Sequence, residues 1–352
     1  MKRSSSVNKK KKLQSLQNFP QKQRASLPEF IHPELAPLVS SIPKKNNWLF
    51  EIKYDGYRLL AIIKGRKITL KTRNNNDWSR KFPQLIQALE KLPIENAIID
   101  GEIVVLDKDR ISNFGLLQNA IQSNDNSIIN YYVFDLLYYD KYYLGNMPLR
   151  ERRQILKKLF GKSHKHSLIQ FSEDLRGNIN QIMMRLCKKG YEGIVAKNQE
   201  SAYQSRRTKD WLKIKCKTQQ EFVICGYTNP SGSREFFGAL LLGYFTKNKK
   251  LVYCGKVGTG FNRLTLRTIF SYLQKISQVK SNFTKTPAAK GIHWVKPKLV
   301  AEIAFKEWTA DGYLRQSVFQ GLRFDKAANE IVKEIPHDKR DKKLSGISNQ
   351  SR

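Results

Sequence analysis

The segment from Glu51 to Arg58 contains the residues best suited to chemistry in this chain. Lys53 supplies an amine nucleophile, Asp55–Gly56 is a typical tight-turn dipeptide, and Arg58 adds a cation that suits phosphate. With each residue type near ~5% usage, the spacing K-x-D-G-x-R would arise by chance in roughly one such chain in several hundred. The pattern favours attack of the lysine on the α-phosphorus of a nucleotide, with an exposed charged turn as the alternative.

A lysine that attacks phosphorus must first lose its proton. At an ordinary pKa of ~10.4, only about one lysine in a thousand is neutral near pH 7.4. We therefore expect neighbouring cations and desolvation to lower the pKa of Lys53. The hypothesis also requires further basic groups for phosphate, carboxylates for a divalent metal and a ribose, and an aromatic ring for a base.

Five later segments supply these groups in chain order. They are Arg73 in Thr72–Asn74, Glu102 in Asp100–Glu102, Phe134 in Val133–Leu136, Glu192 in Glu192–Lys197, and Lys213 with Lys215 in Trp211–Lys215. Lys213 and Lys215 share one face if their segment is a strand, because side chains alternate with period two. Singly, these segments could be a turn, a core phenylalanine, a loop and a solvated strand face. Their joint order favours nucleotide chemistry.

Composition points to a polyanionic partner. The 352 residues include 64 Lys and Arg against 30 Asp and Glu, a net charge of +34. Nucleic acid fits this charge, since each neutralised phosphate releases counterions. No apolar run approaches the ~20 residues of a membrane-spanning helix, and the N-terminus lacks the apolar stretch of a secretory signal. We expect a cytoplasmic, nucleoid-associated bacterial protein.

The spacing of the cysteines does not match a metal-binding motif. Four are present, at positions 187, 216, 225 and 254, and none forms a C-x-x-C pair. This spacing predicts no zinc site, and the chain length predicts no disulfide framework.

The hydrophobic pattern predicts strands alternating with helices up to about residue 217. Predicted strands are 48–52, 59–63, 67–71, 97–106 interrupted by Asp100–Glu102, and 131–139; predicted helices are 82–92, 149–160 and 179–189. Strands at 221–227, 239–245, 251–257 and 300–305 then surround one predicted helix at 263–276. Several short strands around one helix are typical of a small oligonucleotide-binding barrel.

The quoted motifs resemble those of the covalent nucleotidyltransferase superfamily of DNA ligases, RNA ligases and capping enzymes. In the C-terminal half, Leu251–Phe261, Glu307–Gly312, Arg315 and Phe319–Lys326 resemble the ATP-dependent ligases of bacterial end-joining systems, the ligase D type. The resemblance covers about residues 28 to 330. Two positions depart from the family pattern, because Asn75 and Ser205 stand where glycine is usual. Asn tolerates positive φ, so the turn at Asn75 can survive.

The resemblance implies a fold and a domain order. The expected class is α+β, with an ATP-grasp-like nucleotidyltransferase (adenylation) domain at 29–217 and a small OB-fold β-barrel domain at 218–335. A disordered basic arm at 1–28 and a flexible basic tail at 336–352 are expected to flank them.

The resemblance also implies roles for the site residues. Lys53 would attack ATP, with Mg²⁺ or Mn²⁺ held by Glu192, to give lysyl-AMP. The nucleotide contacts would come from Glu51 and Phe134 at the base, Glu102, Arg58 and Arg73 at the sugar and phosphates, Lys213 and Lys215 at the α-phosphate, and Arg323 and Lys326 at the leaving pyrophosphate.

The implied activity is ATP-dependent sealing of DNA nicks by a monomer in repair or end joining. The expected partners are nicked or broken double-stranded DNA and Ku. Two alternatives stay open: an RNA ligase or capping-type guanylyltransferase, and a non-catalytic nucleic-acid-binding protein.

Overall fold

A computed structural model of the chain describes residues 22–123, 125, 128–160, 167–216, 218–287 and 291–336. The chain forms two compact units, of which the first reaches Cys216 and the second ends at Ile335. Residues 1–21 of the predicted basic arm and residues 337–352 of the predicted tail lie outside the described residues.

The first unit contains two sheets and four helices that the described residues define. Its strands are β1 (Gln23–Arg24), β2 (Trp48–Lys53), β3 (Tyr57–Lys64), β4 (Lys67–Thr72), β5 (Asn96–Val105), β6 (Ile129–Tyr139), β7 (Tyr142–Tyr143), β8 (Ile169–Phe171), β9 (Gly193–Asn198) and β10 (Trp211–Lys215). Its helices are α1 (Pro83–Glu90), α2 (Phe114–Ser123), α3 (Leu149–Phe160) and α4 (Ile179–Lys189), and a short 3-10 helix spans Ser79–Lys81. The large sheet has the order β1-β7-β6-β5-β3-β4, with β8 parallel to β6, and the small sheet has the order β10-β9-β2.

The large sheet is buried on both faces because its strands are apolar at successive positions. Leu59 and Ala61 of β3 point into a core that includes residues of α1, α2 and α3, whereas Leu60 and Ile62 point into the core shared with Trp211 of the small sheet. Each fully buried leucine of this kind contributes about 1.5–3 kcal/mol. The two sheets are thereby packed face to face.

Helix α4 covers the other face of the small sheet. It begins at the N-cap Asn178, whose side chain accepts from the backbone N–H of Gln181, and it ends at Gly190 with φ +94°. Such a left-handed residue at the helix end favours glycine. Ile179, Met183 and Leu186 of the helix pack with the back of the small sheet.

Three local predictions for the first unit differ from the structure. Gln23 and Arg24 pair with the β7 tyrosines, so the predicted disordered arm is too long at its C-terminal end. Strand β5 runs through Asp100–Glu102 in unbroken register with β3, and the predicted interruption is limited to a register shift against β6 between Asp100 and Gly101. Helix α2 was not predicted.

The second unit contains a large antiparallel sheet, whose strands differ in length, and one α-helix. Its elements are β11 (Gln219–Thr228), β12 (Leu240–Phe245), β13 (Leu251–Val257), α5 (Arg263–Lys275), β14 (Ser277–Gln278), β15 (Ile292–Ala304), β16 (Glu307–Trp308), β17 (Leu314–Arg315), β18 (Val318–Leu322) and a 3-10 helix at Ala328–Glu330. The sheet order is β13-β12-β11-β15-β14, with β18 on β15, and β16 pairs with β17. Within the described residues these pairings do not close the sheet, so the predicted OB-fold barrel is not confirmed.

The cysteines also differ from expectation. Cys187 and Cys216 form a disulfide with a Cα–Cα distance of 5.1 Å, whereas Cys225 and Cys254 are free and buried. The prediction of no disulfide framework did not anticipate this single bond, because compatible Cα positions are set by tertiary contacts and not by chain length or sequence spacing.

A buried ion pair between α3 and β6 provides a test of how the first unit is stabilised. The guanidinium of Arg152 is 0% exposed and donates to both carboxylate oxygens of Asp135, each at 2.8 Å. Arg152→Met leaves that carboxylate buried without its partner, and we expect a loss of about 3–5 kcal/mol in the free energy of unfolding, measured by urea titration. The control is Arg150→Met on the same helix, whose pair with Glu200 is half exposed and contributes about 1 kcal/mol or less. Equal stability of the two variants would contradict the assignment.

Candidate active site

The front face of the small sheet presents three rows of side chains to the large sheet. In the first row, Lys53 of β2 and Lys215 of β10 lie on either side of Gly193 of β9. In the second row, Glu51 of β2 and Lys213 of β10 lie on either side of Val195 of β9. The third row, one step further, contains Lys197 of β9 and Trp211 of β10. These side chains share a face because alternate residues of a strand point the same way.

The first row contains the candidate nucleophile. Nζ of Lys53 donates to Oε2 of Glu192 at 2.5 Å, and Nζ of Lys215 lies 3.9 Å from Oε1 of the same carboxylate. The Lys53 side chain is 21% exposed, against 6% for Glu192 and 8% for Lys215. The Lys53 side chain is therefore partly exposed, whereas the side chains of its two partners are nearly buried.

Gly193 makes this close arrangement possible. It has φ +151°, and a Cβ at this position would lie 2.0 Å from the carbonyl oxygen of Ile214. The absence of a side chain lets β9 and β10 approach where Glu192 and Lys215 meet.

Glu192 controls the protonation of Lys53. Burial alone would lower the pKa of Lys53, but the adjacent carboxylate outweighs burial and the neighbouring Lys215, and the pKa is raised above its usual value. The expectation that cations and desolvation lower this pKa is wrong for this arrangement, because it omitted the carboxylate partner.

Glu51 is held by three protein groups. Its Oε1 accepts from Arg153 at 2.7 Å and lies 2.9 Å from Nζ of Lys197, and its Oε2 accepts from the Ser172 hydroxyl at 2.8 Å. Arg153 also donates to Asp174 at 2.5 Å. A 2% exposed carboxylate is thus fixed in one orientation.

Arg58, on the large sheet, is likewise held by several protein groups. Its guanidinium donates to both oxygens of Asp100, at 2.9 and 2.5 Å, and to the backbone carbonyl of Glu34 at 2.5 Å. The Tyr203 hydroxyl donates to the same Asp100 carboxylate at 2.7 Å. Glu102 is the cross-strand neighbour of Arg58, so the two predicted sugar contacts are adjacent.

Phe134 lies where the two sheets meet. Its ring is 8% exposed and packs edge-to-face on Trp211, with 6.1 Å between centroids. Nζ of Lys197 lies 4.1 Å from the centroid of each ring, and the Arg58 guanidinium lies 5.3 Å from each. Burial lowers the pKa of Lys197 despite the nearby Glu51 carboxylate.

Sequence reasoning assigned no role to Lys197, Arg153 or Tyr203. A signal for Arg153 existed: it falls beside the apolar stripe of α3, with Ile155 and Leu156, where a charged residue must find a buried partner. For Tyr203, which lies outside the regular elements, no comparable pattern is visible in the sequence.

The two positions that depart from the family pattern keep their local structure. Asn75 has φ +63°, as its tolerance of that region allowed, in the turn that carries Arg73. Ser205 is not among the described residues with positive φ, so its position does not require glycine.

The last predicted motif lies in the second unit. Arg323 donates to both carboxylate oxygens of Asp325, at 2.9 and 2.8 Å, and to Glu302 at 3.4 Å. Lys326 pairs with Glu221. Both cations are therefore held by acids of their own unit.

Glu192 is the residue predicted to hold a divalent metal, and its carboxylate lies against Lys53 and Lys215. The described residues contain no group of three or more His, Cys, Asp or Glu side chains that could hold a metal ion. Mg²⁺ is nevertheless commonly bound through one or two carboxylates together with substrate phosphates. A single carboxylate beside the reactive amine fits that donor set.

Two family models match this chain. The ATP dependent DNA ligase domain matches residues 33–215, and the ATP dependent DNA ligase C terminal region matches residues 233–326. The chain therefore belongs to the ATP-dependent DNA ligase family, whose members are phosphodiester-forming enzymes that use ATP and a divalent metal.

Several of its relatives are of the ligase D type. The multifunctional non-homologous end joining protein LigD of Pseudomonas aeruginosa is 40% identical over 318 residues, covering 89% of this chain and 38% of the relative. LigD of Mycobacterium tuberculosis H37Rv is 36% identical over 296 residues, which cover 83% of this chain and 38% of the relative. The chain thus spans about two fifths of the length of these relatives.

A solved structure agrees with this family. Mycobacterial DNA ligase D complexed with ATP and MES matches with a TM-score of 0.64 and 34% identity, over 86% of this chain and 98% of that chain. The predicted resemblance to the ligase D type is confirmed. Among the described residues, no helix is long and apolar enough to cross a membrane.

The raised pKa of Lys53 predicts a pH dependence. A raised pKa keeps the amine protonated over a wider range, so the neutral, reactive form increases with pH. We expect the initial rate of covalent adenylation at saturating ATP to rise by roughly tenfold per pH unit between about pH 6 and about pH 8. ATP binding measured in parallel separates this effect from affinity. A flat profile would show that Lys53 is already neutral.

Proposed function

We propose that Lys53 is the nucleophile of an ATP-dependent DNA ligase reaction. Its Nζ attacks the α-phosphorus of ATP, so that an N–P bond forms and the bond to pyrophosphate breaks. AMP then passes to the 5′-phosphate at a nick, and the 3′-hydroxyl displaces AMP as the new phosphodiester forms. The observation that carries this proposal is that Lys53 and Lys215, on the front face of the small sheet, both meet the Glu192 carboxylate.

The proton of Lys53 needs an acceptor before attack. The hydrogen bond from Nζ to Oε2 of Glu192 at 2.5 Å stabilises the ammonium, so the proton leaves to water once that bond is released. A divalent metal bound at Glu192 would supply charge neutralisation for the phosphates of ATP. Lys213 and Lys215 add fixed positive charge on the same face for the α-phosphate.

The other predicted site residues of the first unit are proposed to contact the base, the sugar or the phosphates of the nucleotide. Glu51 is fixed by its protein donors, yet a carboxylate has about four acceptor positions, so it can still accept from an adenine amino group. Phe134 offers a ring for stacking at the meeting point of the sheets. Glu102 and Arg58, as cross-strand neighbours, are placed for the ribose, and Arg73 serves the sugar or substrate phosphate.

The second unit, about residues 218–335, is proposed as the OB-fold domain that follows the adenylation domain at 29–217. Its short antiparallel strands and single helix support this assignment. Arg323 and Lys326 would orient the pyrophosphate leaving group, with Asp325 keeping the Arg323 guanidinium in position.

The biological role is proposed by analogy with the relatives. LigD is a non-homologous end joining protein, so we propose broken as well as nicked double-stranded DNA as substrates and Ku as a partner. The setting would be the bacterial cytoplasm, in association with the nucleoid. The net charge of +34 supports binding to DNA phosphates.

Substitution of the nucleophile tests the proposal directly. Lys53→Ala is expected to reduce covalent labelling by α-labelled ATP below detection and to abolish nick sealing, because no other group forms the N–P bond. Lys64→Ala, an exposed lysine at the end of the next strand, removes the same charge and is expected to label normally. Adenylation of the Lys53→Ala protein would contradict the proposal, whereas labelling lost in both variants would point to misfolding.

Nucleotide and acceptor choice separates the rival enzymes. Incubation with labelled ATP or GTP, followed by nicked DNA or nicked RNA, should give labelling from ATP and sealing of DNA. Labelling from GTP would favour a capping-type guanylyltransferase, and preferential sealing of RNA would favour an RNA ligase. Binding of DNA without labelling by either nucleotide would favour a non-catalytic protein.

A further inference from the structure

The disulfide between Cys187 and Cys216 lies at the edge of the reactive row. Cys187 is in the last turn of α4, and Cys216 directly follows Lys215 at the end of β10. The cross-link joins positions 29 residues apart. The loop it closes includes Glu192, Lys197 and both lysines of β10, so these site residues lie within one covalent ring.

Both ends of the cross-link are close to Glu192. The backbone N–H of Cys216 donates to the carbonyl oxygen of Glu192 at 2.8 Å. On the other side, only the helix end at Gly190 and one further residue separate α4 from Glu192, and the N–H of Tyr191 donates to the carbonyl of Leu186. Movement of the α4 end is thereby transmitted to the carboxylate that holds Lys53.

Helix α4 has little other anchorage. None of its residues is fully buried, and Met184 is 60% exposed. It packs on the small sheet through partly buried Ile179, Met183 and Leu186. A helix with so little buried apolar surface opens at low cost, so a covalent link at its end has a large effect on its position.

The two disulfide-bonded cysteines and the two free cysteines differ in their exposure to solvent. Cys187 and Cys216 are both partly exposed, and Lys188 and Lys215 stand next to them in the chain. Nearby cations favour a thiolate when the bond is reduced, and exposure admits small thiols. Cys225 and Cys254 are buried, and burial raises the pKa of each thiol, which makes them inert.

We propose that Cys187 and Cys216 are a reversible redox modification site that sets the geometry of the Lys53, Glu192 and Lys215 row. In the oxidised state the S–S bond fixes the end of α4 against β10. In reduction, a dithiol transfers two electrons and two protons, the S–S bond breaks, and two thiols form as the dithiol becomes a disulfide. Oxidised glutathione reverses the step and is itself reduced to two thiols. This inference rests on the proposed role of Lys53.

The test measures covalent adenylation of the full chain in both redox states. Protein is reduced with dithiothreitol or oxidised with oxidised glutathione, the Cys187–Cys216 link is mapped by non-reducing peptide mass spectrometry, and the initial rate of labelling with α-labelled ATP is measured. Reduction should slow adenylation roughly tenfold, because positioning is partly lost, and should lower the Tm by roughly 5–10 °C. Reoxidation should restore both.

Two variants serve as controls. Cys187→Ser/Cys216→Ser should behave as the reduced protein in every condition, whereas Cys225→Ala/Cys254→Ala should keep the full redox response. Adenylation at equal rates in the oxidised and reduced wild-type protein, or oxidised protein without the mapped link, would overturn this inference alone. Absence of adenylate in every redox state would overturn the proposed function and this inference together.

Discussion

The contact between Lys53 and Glu192 depends on the strand register of the small sheet. Lys53 pairs with Gly193, the residue after Glu192, and a shift of β2 by one residue would turn Lys53 to the opposite face. Leu49 and Phe50 of β2 oppose such a shift, because they pack into cores on opposite faces of the small sheet and would exchange faces. The position of the amine is thus a property of the packed sheets, and the K-x-D-G-x-R segment alone does not define it.

The sequence predicted those features that local patterns encode. Helices α3 and α4 have the bounds that their 3.6-residue periodicity indicated, and β3, β4, β6 and β13 lie at or near their predicted ranges. Asp-Gly favours turns, which predicts an interruption at Asp100–Glu102; pairing with β3 keeps β5 continuous there, and the irregularity is limited to a register shift against β6. The partners of Glu51, Arg58 and the cysteines come from distant positions, and no local pattern identifies them.

Buried charges connect the predicted site residues to the rest of the core. Glu51 and Arg153 are 102 positions apart in sequence, and neither exceeds 5% side-chain exposure. Burial of single charges would be unfavourable, and each is offset by a partner of opposite sign with direct hydrogen bonds. Loss of any one member would leave another without compensation. Such a network holds its members in one arrangement, which fits the proposed role of these groups in nucleotide binding.

The burial of these pairs has a consequence for the response to ionic strength. Salt screens exposed charges over about 10 Å at 0.1 M but acts weakly on pairs excluded from solvent. The pairs around Glu51 and Asp100 therefore change little as salt is added, whereas attraction between a chain of net charge +34 and DNA weakens steeply. For the proposed ligase reaction, a change in electrolyte concentration would therefore act on DNA binding more than on the buried pairs of the nucleotide site.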